Sequence, residues 1–286
     1  MHLAGPSDEA VRPPWAHLRV PPFPQIAIRV LQLASKADVS MRQLSDLISA
    51  DPAFSGEVLT IVNSALYASR SPIHSILQAI AVLGTDSLKG VCLTVGVRAY
   101  LGKSLNHQSL RAVWRHSLAC GLIAERLARA SSMNKEAAYT AGVMHDIGRL
   151  ALAVMRPKAY ADLLTAYSGP ADSILCCERD LFGFDHCEAG RNLVADWKMP
   201  ADLEAVISDH HSPRPIGASW RIPELVKISC KMADSVGFAV FAGCEATPFP
   251  ELLDEIPESE RSSFCTDIEK FTFEVSSKIN TLEMMP

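Results

Sequence analysis

Apolar residues recur at helical spacing along most of the chain. Ile26, Val30 and Leu33 share one face of a helix, and similar stripes with a period of about 3.6 residues follow through the sequence. Asp51 followed by Pro52 is typical of an N-cap and the first residue of a helix. No segment alternates apolar and polar residues as a half-buried strand would. The pattern predicts an all-α protein.

End signals place the predicted helices. Ser40, Asp51 and Thr85 are expected to cap helices, and Gly84 is expected to end one. Residues 242–257, with Pro-Phe-Pro and several acids, are expected to form a loop with one turn. Helices are expected from Pro24, after Ser40, and over residues 52–65, 76–83, 85–101, 110–131, 135–155, 157–167, 185–197, 200–211, 222–241 and 258–281, the last with Phe264, Ile268, Phe271 and Val275 on one side.

A polar break at residues 103–109 predicts a boundary between two helical lobes. Residues 1–20, rich in proline, are expected to form an extended lead-in. Residues 21–105 would form an N-terminal helical lobe and residues 106–241 a second helical lobe. Residues 242–286 would add a loop and a helix that pack on this core.

Composition and charge narrow the class of protein. The chain has 286 residues, 48% of them hydrophobic, and a net charge of −5. This composition suits a sizeable core and argues against a disordered chain or a basic nucleic-acid-binding surface. The N-terminus has no apolar signal core, and the longest apolar run, Val236–Cys244, is too short to span a bilayer. A soluble, cytoplasmic protein is expected.

Eight cysteines are scattered through the chain without a Cys-x-x-Cys pair. Most of them stand in apolar helical contexts, so reduced cysteines that serve packing are the favoured interpretation, and this fits a cytosolic protein. The adjacent Cys176 and Cys177 leave a redox-active pair as the alternative.

The stretch 141–150, Ala-Gly-Val-Met-His-Asp-Ile-Gly-Arg-Leu, contains the most informative residues of the chain. His145 and Asp146 are adjacent ionisable residues inside an otherwise apolar run that predicts a buried helix. An uncompensated buried charge is strongly unfavourable. The pair is therefore expected to be hydrogen-bonded, ion-paired or bound to a metal.

Several other helices of the second lobe place a histidine or aspartate on their apolar face. One such histidine is ordinarily a core residue with its hydrogen bonds satisfied, but a whole set needs more partners than the neighbouring sequence offers. Imidazoles and carboxylates together bind Fe, Mn, Zn or Ni, and the set is large enough for two such divalent metals bridged by Asp146. The inward-facing candidates are His116, His145, Asp146, His186, His210, His211 and Asp234.

His-Asp-Ile-Gly, with a histidine about thirty residues upstream and a distant aspartate downstream, resembles the HD superfamily of metal-dependent phosphohydrolases. The first lobe is similar to the HDOD family, the HD-related output domain of bacterial signalling proteins. This resemblance covers residues 18–240 and implies an all-helical fold and a role in signal transduction. Four first-lobe segments carry it: Pro21–Pro24, Ile48–Pro52, Asn63–Tyr67 and Ala79–Gly84.

The resemblance also implies a set of metal ligands. Four residues match the ligands of the basic HD site: His116, His145, Asp146 and Asp234. Three more match the extra histidines of the HD-GYP branch, which hydrolyses cyclic di-GMP: His186, His210 and His211. This chain departs from that branch in three ways: Ser212–Pro215 replaces the Gly-Tyr-Pro segment, Arg149 replaces a lysine, and Ala112 stands where a trinuclear site has a glutamate. A binuclear site is therefore expected, without cyclic di-GMP as the favoured substrate.

The first functional hypothesis is a metal-dependent phosphohydrolase that acts on a nucleotide-like substrate. Asp146 would bridge two metals, with His116, His145 and Asp234 around one and the remaining histidines around the other. Such a pair polarises a phosphate and lowers the pKa of a bound water. Arg149 would bind a phosphate oxygen through two hydrogen bonds, although a surface arginine is an equal alternative.

The second hypothesis is a catalytically inactive signalling module that binds a metal, a nucleotide-like ligand or a signalling protein. The sequence contains no kinase, receiver or cyclase segment, so a stand-alone bacterial HDOD protein that receives its signal from another molecule is expected. DNA binding by the first lobe is disfavoured, because residues 1–110 carry only 9 Lys and Arg against 7 Asp and Glu. No membrane partner is expected.

Overall fold

The computed structural model describes residues 22–36, 38–64, 66–67, 71–169, 173–199, 201–212, 220–241, 243, 245–261, 263–264 and 267–283. Throughout these ranges the protein is all-α and no strand occurs, which confirms the fold class predicted from the apolar spacing. The predicted lead-in at residues 1–20 lies outside them. In the same ranges, no helix combines the length and the apolar character needed to cross a bilayer.

Short polar side chains begin helices of the first lobe, as Ser40 and Asp51 show. The Ser40 hydroxyl accepts a hydrogen bond from the N–H of Gln43, and the N–H of Ser40 donates one to the side-chain oxygen of Gln43. Asp51 caps the helix that starts at Pro52, and both predicted caps are confirmed. The five helices here are α1 (Gln25–Ala34), α2 (Met41–Ser49), α3 (Pro52–Val62), α4 (Ile76–Leu83) and α5 (Thr85–Leu101).

The second lobe is assembled around one long helix, α6, which buries residues on most of its turns. A short 3₁₀ segment at Gly102–Asn106 precedes it and occupies the predicted polar break. The helices of this lobe are α6 (Gln108–Ala130), α7 (Lys135–Met144), α8 (Ile147–Met155), α9 (Pro157–Ala166), α10 (Ile174–Phe182), α11 (His186–Asp196), α12 (Ala201–Asp209) and α13 (Ile222–Ala233).

Two short helices and one longer one follow: α14 (Phe249–Asp254), α15 (Glu258–Arg261) and α16 (Ile268–Glu283). α16 packs on α6 through buried Phe271 and Ile279 and through an ion pair between Arg126 and Glu274. Phe264, Phe271 and Val275 are buried as their spacing predicts. Ile268 is 39% exposed, so its predicted place on the buried side is wrong.

Several helix boundaries differ from the predictions. The single helix expected over 135–155 is broken at His145–Asp146, because Asp146 leaves the helical conformation with φ −102° and ψ 22° and starts α8. The helix expected over 222–241 ends at Ala233 and continues as a π-turn that contains Gly237 at φ +91°. α10 was not predicted at all. The N-cap of α5 is Gly84, whereas Thr85, the predicted cap, is the first helical residue.

The two lobes are joined by direct packing. The Phe23 ring lies 4.6 Å from the Trp197 ring at the end of α11, and the Gln32 side chain donates a hydrogen bond to the Trp197 carbonyl at 2.9 Å. The hydroxyls of Thr94 on α5 and Tyr139 on α7 are 2.8 Å apart. The first lobe therefore rests on α7 and on the end of α11.

Two glycines allow helices of the second lobe to approach unusually closely. A Cβ at Gly142 would lie 2.7 Å from the carbonyl oxygen of Cys120, and a Cβ at Gly148 would lie 1.8 Å from that of His186. No other residue type fits at either position without movement of the backbone. These contacts bring α7 against α6 and α8 against α11, and so draw His116, His145 and His186 toward one interior.

Candidate metal centre

Two adjoining groups of ligand atoms occupy this interior. We name the first the thiol cluster, with ligand atoms that all lie within 4.8 Å of one another: His116, Cys120, His145 and Cys230. We name the second the histidine cluster: Asp146, His186, His210 and His211, with the thiol of Cys187 beside its three imidazoles. The chain neighbours His145 and Asp146 belong to different clusters, so the two groups meet at the break between α7 and α8.

In the histidine cluster the Nε2 atoms converge. Nε2 of His186 lies 3.3 Å from Nε2 of His210 and 3.0 Å from Nε2 of His211. Oδ1 of Asp146 lies 3.2 Å from Nε2 of His210 and 3.4 Å from that of His186. The three imidazoles and the carboxylate thus come together where α8, α11 and the end of α12 meet.

In the thiol cluster, Nε2 of His116 lies 3.4 Å from Sγ of Cys120 and 3.3 Å from Sγ of Cys230. His116 and Cys120 stand one turn apart on α6, and Cys230 comes from α13. His145 joins them from the end of α7, with its ring centroid 5.5 Å from that of His116. His116, Cys120 and His145 are almost completely buried, and Cys230 is half-buried.

The outer nitrogen of four of these imidazoles is fixed by an acceptor. Nδ1 of three rings lies next to a backbone carbonyl, and that of His186 lies 2.6 Å from Oε2 of Glu178. A carbonyl or carboxylate only accepts, so each Nδ1 is an N–H and each Nε2 of a neutral ring carries a lone pair. The carbonyl partners are Phe238 for His116 at 2.9 Å, Gly142 for His145 at 2.7 Å and Ile207 for His210 at 2.9 Å.

This arrangement fits a bound cation. Burial lowers the pKa of His210 and holds its ring neutral, so its Nε2 lone pair faces the Asp146 carboxylate with no proton between them. Nε2 of His145 is buried without a hydrogen-bond partner among the described residues. Burial, together with the neighbouring His210 and His186, likewise lowers the pKa of His211. Neutral imidazoles and a carboxylate aimed at one point are a divalent-metal ligand set.

Neighbouring groups shift the pKa values of the thiol cluster and of His145 in particular. Burial disfavours charged rings, but Cys230 and Asp234 raise the pKa of His116 well above its ordinary value. The Asp146 carboxylate likewise raises the pKa of His145 against the effect of burial. A hydrogen bond from Cys120 and the nearby His116 lower the pKa of the Cys230 thiol. The shifts of His116 and His145 favour positive charge and that of Cys230 favours a thiolate, so groups of opposite charge stabilise one another in the thiol cluster.

Arg149, the predicted phosphate-binding residue, lies inside the protein. Only 2% of it is exposed, and its Nε forms an ion pair with Oδ2 of Asp146 at 3.0 Å. Its guanidinium also lies 3.4 Å from Glu178, donates to Nε2 of His211 at 3.4 Å and covers the Phe241 ring at 5.3 Å. Against the effect of burial, Arg149 and His145 hold the pKa of Asp146 well below its ordinary range. These contacts position Asp146.

Glu178, on the unpredicted helix α10, was missed by sequence reasoning. It is completely buried and accepts hydrogen bonds from the His186 backbone at 2.9 Å and from the Tyr160 hydroxyl at 2.6 Å. Despite burial, His186 and Arg149 lower the pKa of Glu178 to about 2. Glu178 therefore stays charged and fixes both the tautomer of His186 and the position of Arg149.

Asp234, predicted as a ligand, lies on the far side of the His116 ring. Its Oδ1 is 3.3 Å from Nδ1 of His116, whereas Nε2 of that ring points toward Cys120 and Cys230. The predicted ligand role of Asp234 stays a prediction. The two cysteines, interpreted from the sequence as packing residues, stand beside the ligand atoms. Their spacing was the available signal, since Cys120 follows His116 by four residues and Cys230 precedes Asp234 by four.

The histidine cluster opens toward the surface on one side. A cavity of about 510 Å³ is lined by His211, Cys187, Arg179 and Arg191 among others. Arg179 is ion-paired with Asp185, and Arg191 is exposed. No residue of the thiol cluster lines this cavity.

Comparisons with known proteins agree with this architecture. The sequence profile of the HDOD domain family matches residues 20–213. An HDOD domain protein of unknown function from Geobacter sulfurreducens has a TM-score of 0.71 at 22% identity, and the match covers 94% of this chain and 96% of that one. A "putative metal-dependent phosphohydrolase" from Shewanella amazonensis SB2B has a TM-score of 0.65 at 19% identity and covers 92% and 94%.

An uncharacterised protein of Treponema pallidum (strain Nichols) is 22% identical over 195 residues. The match takes in 68% of this chain but only 38% of the Treponema protein, which is much longer. The solved structures establish a shared fold at these levels of identity.

Proposed function

This chain belongs to the HDOD family, and we propose that it is a signalling protein whose second lobe is controlled by divalent metal bound in the histidine cluster. One observation carries the proposal. Nε2 of His186, Nε2 of His210 and Oδ1 of Asp146 lie 3.2–3.4 Å from one another, while Nδ1 of each ring already faces an acceptor, and a divalent cation stabilises this arrangement. The ligand types suit Fe, Mn, Zn or Ni.

Metal in this cluster would join elements that are otherwise separate in sequence. Asp146 begins α8, His186 begins α11, and His210 follows α12. Trp197, at the end of α11, packs on Phe23 and accepts a hydrogen bond from Gln32. The metal-loaded state would therefore hold α11 in the position that contacts the first lobe, and a signalling partner that binds the first lobe would sense whether metal is present.

Metal content tests the proposal. The protein is loaded with Mn, Fe or Zn, freed of excess metal, and its metal per chain is measured by mass spectrometry. The His210→Ala variant is expected to lose the ion of the histidine cluster, because it removes an inward Nε2. His107→Ala, which changes an exposed histidine, serves as the matched control. Equal metal content in the wild type and the His210→Ala variant would contradict the proposal.

Phosphoester hydrolysis is the second candidate function, and the cavity beside His211 favours it. When bound, a divalent metal polarises a phosphoester and lowers the pKa of water. Exposed Arg191 would bind phosphate at the cavity mouth, with Arg179 beside it. Arg149 would hold Asp146 in place, since its donors face Asp146, Glu178 and His211.

Turnover is tested on nucleotides and cyclic dinucleotides with the metal-loaded protein. The Asp146→Ala variant supplies the background rate, and Arg191→Ala is expected to raise KM more than it lowers kcat. Lys158→Ala, an exposed cation of α9 away from the cavity, is the control. Absence of turnover above the Asp146→Ala background would exclude hydrolysis of these substrates and leave the metal-controlled signalling role.

A further inference from the structure

We propose that the thiol cluster is a separate metal site that selects Zn²⁺ and binds it through Nε2 of His116 and His145 and Sγ of Cys120 and Cys230. This inference deepens the proposed metal-binding function by adding a second ion of defined chemistry. It depends on different side chains from those of the histidine cluster. Each cluster supplies four ligand residues, although His145 also lies within reach of Asp146 and His210.

The separations of the ligand atoms suit tetrahedral zinc. With Zn–N bonds of about 2.0 Å and Zn–S bonds of about 2.3 Å, the edges of the tetrahedron measure about 3.3–3.8 Å. The two N–S separations from His116 are 3.4 and 3.3 Å. All four ligand atoms lie within 4.8 Å of one another. Small side-chain movements bring them onto one ion.

Both imidazoles of the site are prepared for a metal. Nδ1 of His145 donates to the carbonyl of Gly142, and Nδ1 of His116 donates to that of Phe238. Nε2 of His145 is completely buried with no hydrogen-bond partner in the described part of the chain. Oδ2 of Asp146 lies 3.5 Å from this nitrogen. A buried ring nitrogen without a hydrogen bond is unfavourable, and a zinc ion between the two rings removes that penalty.

The two cysteines decide which metal is selected. Thiolate is a soft ligand that favours zinc over manganese or magnesium, whereas imidazole accepts many divalent metals. Two imidazoles and two thiolates form a frequent structural zinc set with all four positions filled by protein. The thiol cluster is therefore expected to stabilise the packing of α6, α7 and α13 and to take no part in hydrolysis.

In this site Asp234 acts as a positioning residue. Its carboxylate lies 3.3 Å from Nδ1 of His116, on the side of the ring away from the thiols. A carboxylate behind a ligand histidine orients the ring and raises its basicity. The HD-type aspartate is thus retained in this chain behind the ligand shell, and Cys230, one turn earlier on α13, takes its ligand place.

Cobalt substitution gives the most direct test. Co²⁺ bound by thiolate absorbs in the near ultraviolet through sulfur-to-metal charge transfer, and histidine or carboxylate ligation does not produce this band. The wild-type protein loaded with Co²⁺ is expected to show the band, and zinc is expected to displace it. Absence of the band from cobalt-loaded wild-type protein would overturn the inference without the need for any variant.

Variants then assign the ligands. Cys120→Ser and Cys230→Ser are expected to lose the band and one zinc per chain. Cys187→Ser, beside the histidine cluster, and Cys92→Ser, at a buried cysteine of α5, are expected to keep both. Asp234→Asn is expected to keep the band with a zinc affinity lower by about 10–100-fold. Loss of the band in Asp234→Asn, together with its retention in both cysteine variants, would contradict the assignment.

The two proposals fail in different ways. If the histidine cluster binds no metal, His210→Ala has the same metal content as the wild type, and the cobalt band is still present. If the thiol cluster binds no metal, Cys120→Ser and Cys230→Ser leave the absorption of the cobalt-loaded protein unchanged, while metal content still falls in His210→Ala. Cys230→Ser and His210→Ala therefore separate the two ions.

Discussion

The two lobes solve the problem of burial in opposite ways. In the described part of the first lobe, the buried polar side chains are hydroxyls: Ser45, Thr94 and Ser104. The second lobe buries nine ionisable side chains in the described ranges: His116, His145, Asp146, Arg149, Glu178, Asp185, His186, His210 and Glu224. The first lobe has an apolar core between capped helices, and the second lobe has buried charged side chains in its interior.

This difference predicts where stability comes from. Apolar burial and caps such as those of Ser40 and Asp51 stabilise the first lobe under any metal condition. The second lobe gathers acceptor atoms that repel one another unless a cation lies among them. The free energy of unfolding of the second lobe is therefore expected to depend on bound metal, and that of the first lobe is not.

Metal removal is expected to have the largest effect. A ligand present at about 1,000 times its Kd stabilises the folded state by about 4 kcal/mol, so chelation should destabilise the second lobe by that order. Hydrogen exchange is expected to accelerate in α8, α11 and α12 while α2 and α3 change little. Equal acceleration in both lobes, or none in either, would contradict the contrast.

Gly148→Ala is expected to come next. Its new Cβ would meet the His186 carbonyl at 1.8 Å, so α8 and α11 must separate, at about 1–3 kcal/mol or more. Metal content should fall with stability, as measured by denaturant unfolding and mass spectrometry. Gly56→Ala in α3 is the matched control, because nothing lies within 4 Å of its added Cβ. That variant should stabilise by about 0.5–1 kcal/mol.

Glu178→Gln tests the support of the histidine cluster. The neutral amide no longer holds the charge of Arg149 or the N–H of His186 as firmly, so metal affinity should fall by about 10–100-fold. Metal titration by calorimetry measures this change. Glu204→Gln, on an exposed position of α12, should leave the affinity unaltered. If Glu178→Gln binds metal as tightly as the wild type, Glu178 does not support the histidine cluster.

Asp51→Ala should have the smallest effect and should be independent of metal. The carboxylate accepts a hydrogen bond from the N–H of Phe54 at 3.0 Å, and loss of such a cap costs about 1 kcal/mol. Thermal unfolding of the metal-loaded and metal-free proteins should give the same loss. A loss that appears only in one of them would show that the lobes are not energetically distinct.

The sequence predicted the fold well because helical spacing and caps are local signals. The cap at Ser40, the cap at Asp51 and the stop at Gly84 depend on neighbours a few residues away, and the structure confirms all three. The break at His145–Asp146 was missed because the apolar pattern continues through it. That break depends on packing against other helices, which local patterns do not encode.

The candidate site was predictable only in part. The histidines were found because inward-facing imidazoles are uncommon, whereas Cys120 and Cys230 look like ordinary packing cysteines in an apolar stripe. Glu178 resembles any surface glutamate, and only the approach of α10 to α11 reveals its role. Asp234 and the two thiols contact opposite nitrogens of the His116 ring. Which nitrogen faces which group depends on the tertiary structure and cannot be predicted from the sequence.

Anomalous diffraction from crystals of the metal-loaded protein tests the central claim most directly. The account predicts two peaks, one among Asp146, His186, His210 and His211 and a zinc peak among His116, Cys120, His145 and Cys230. Data collected on both sides of the zinc absorption edge identify the second ion. Anomalous maps with no peak in either cluster would contradict the account.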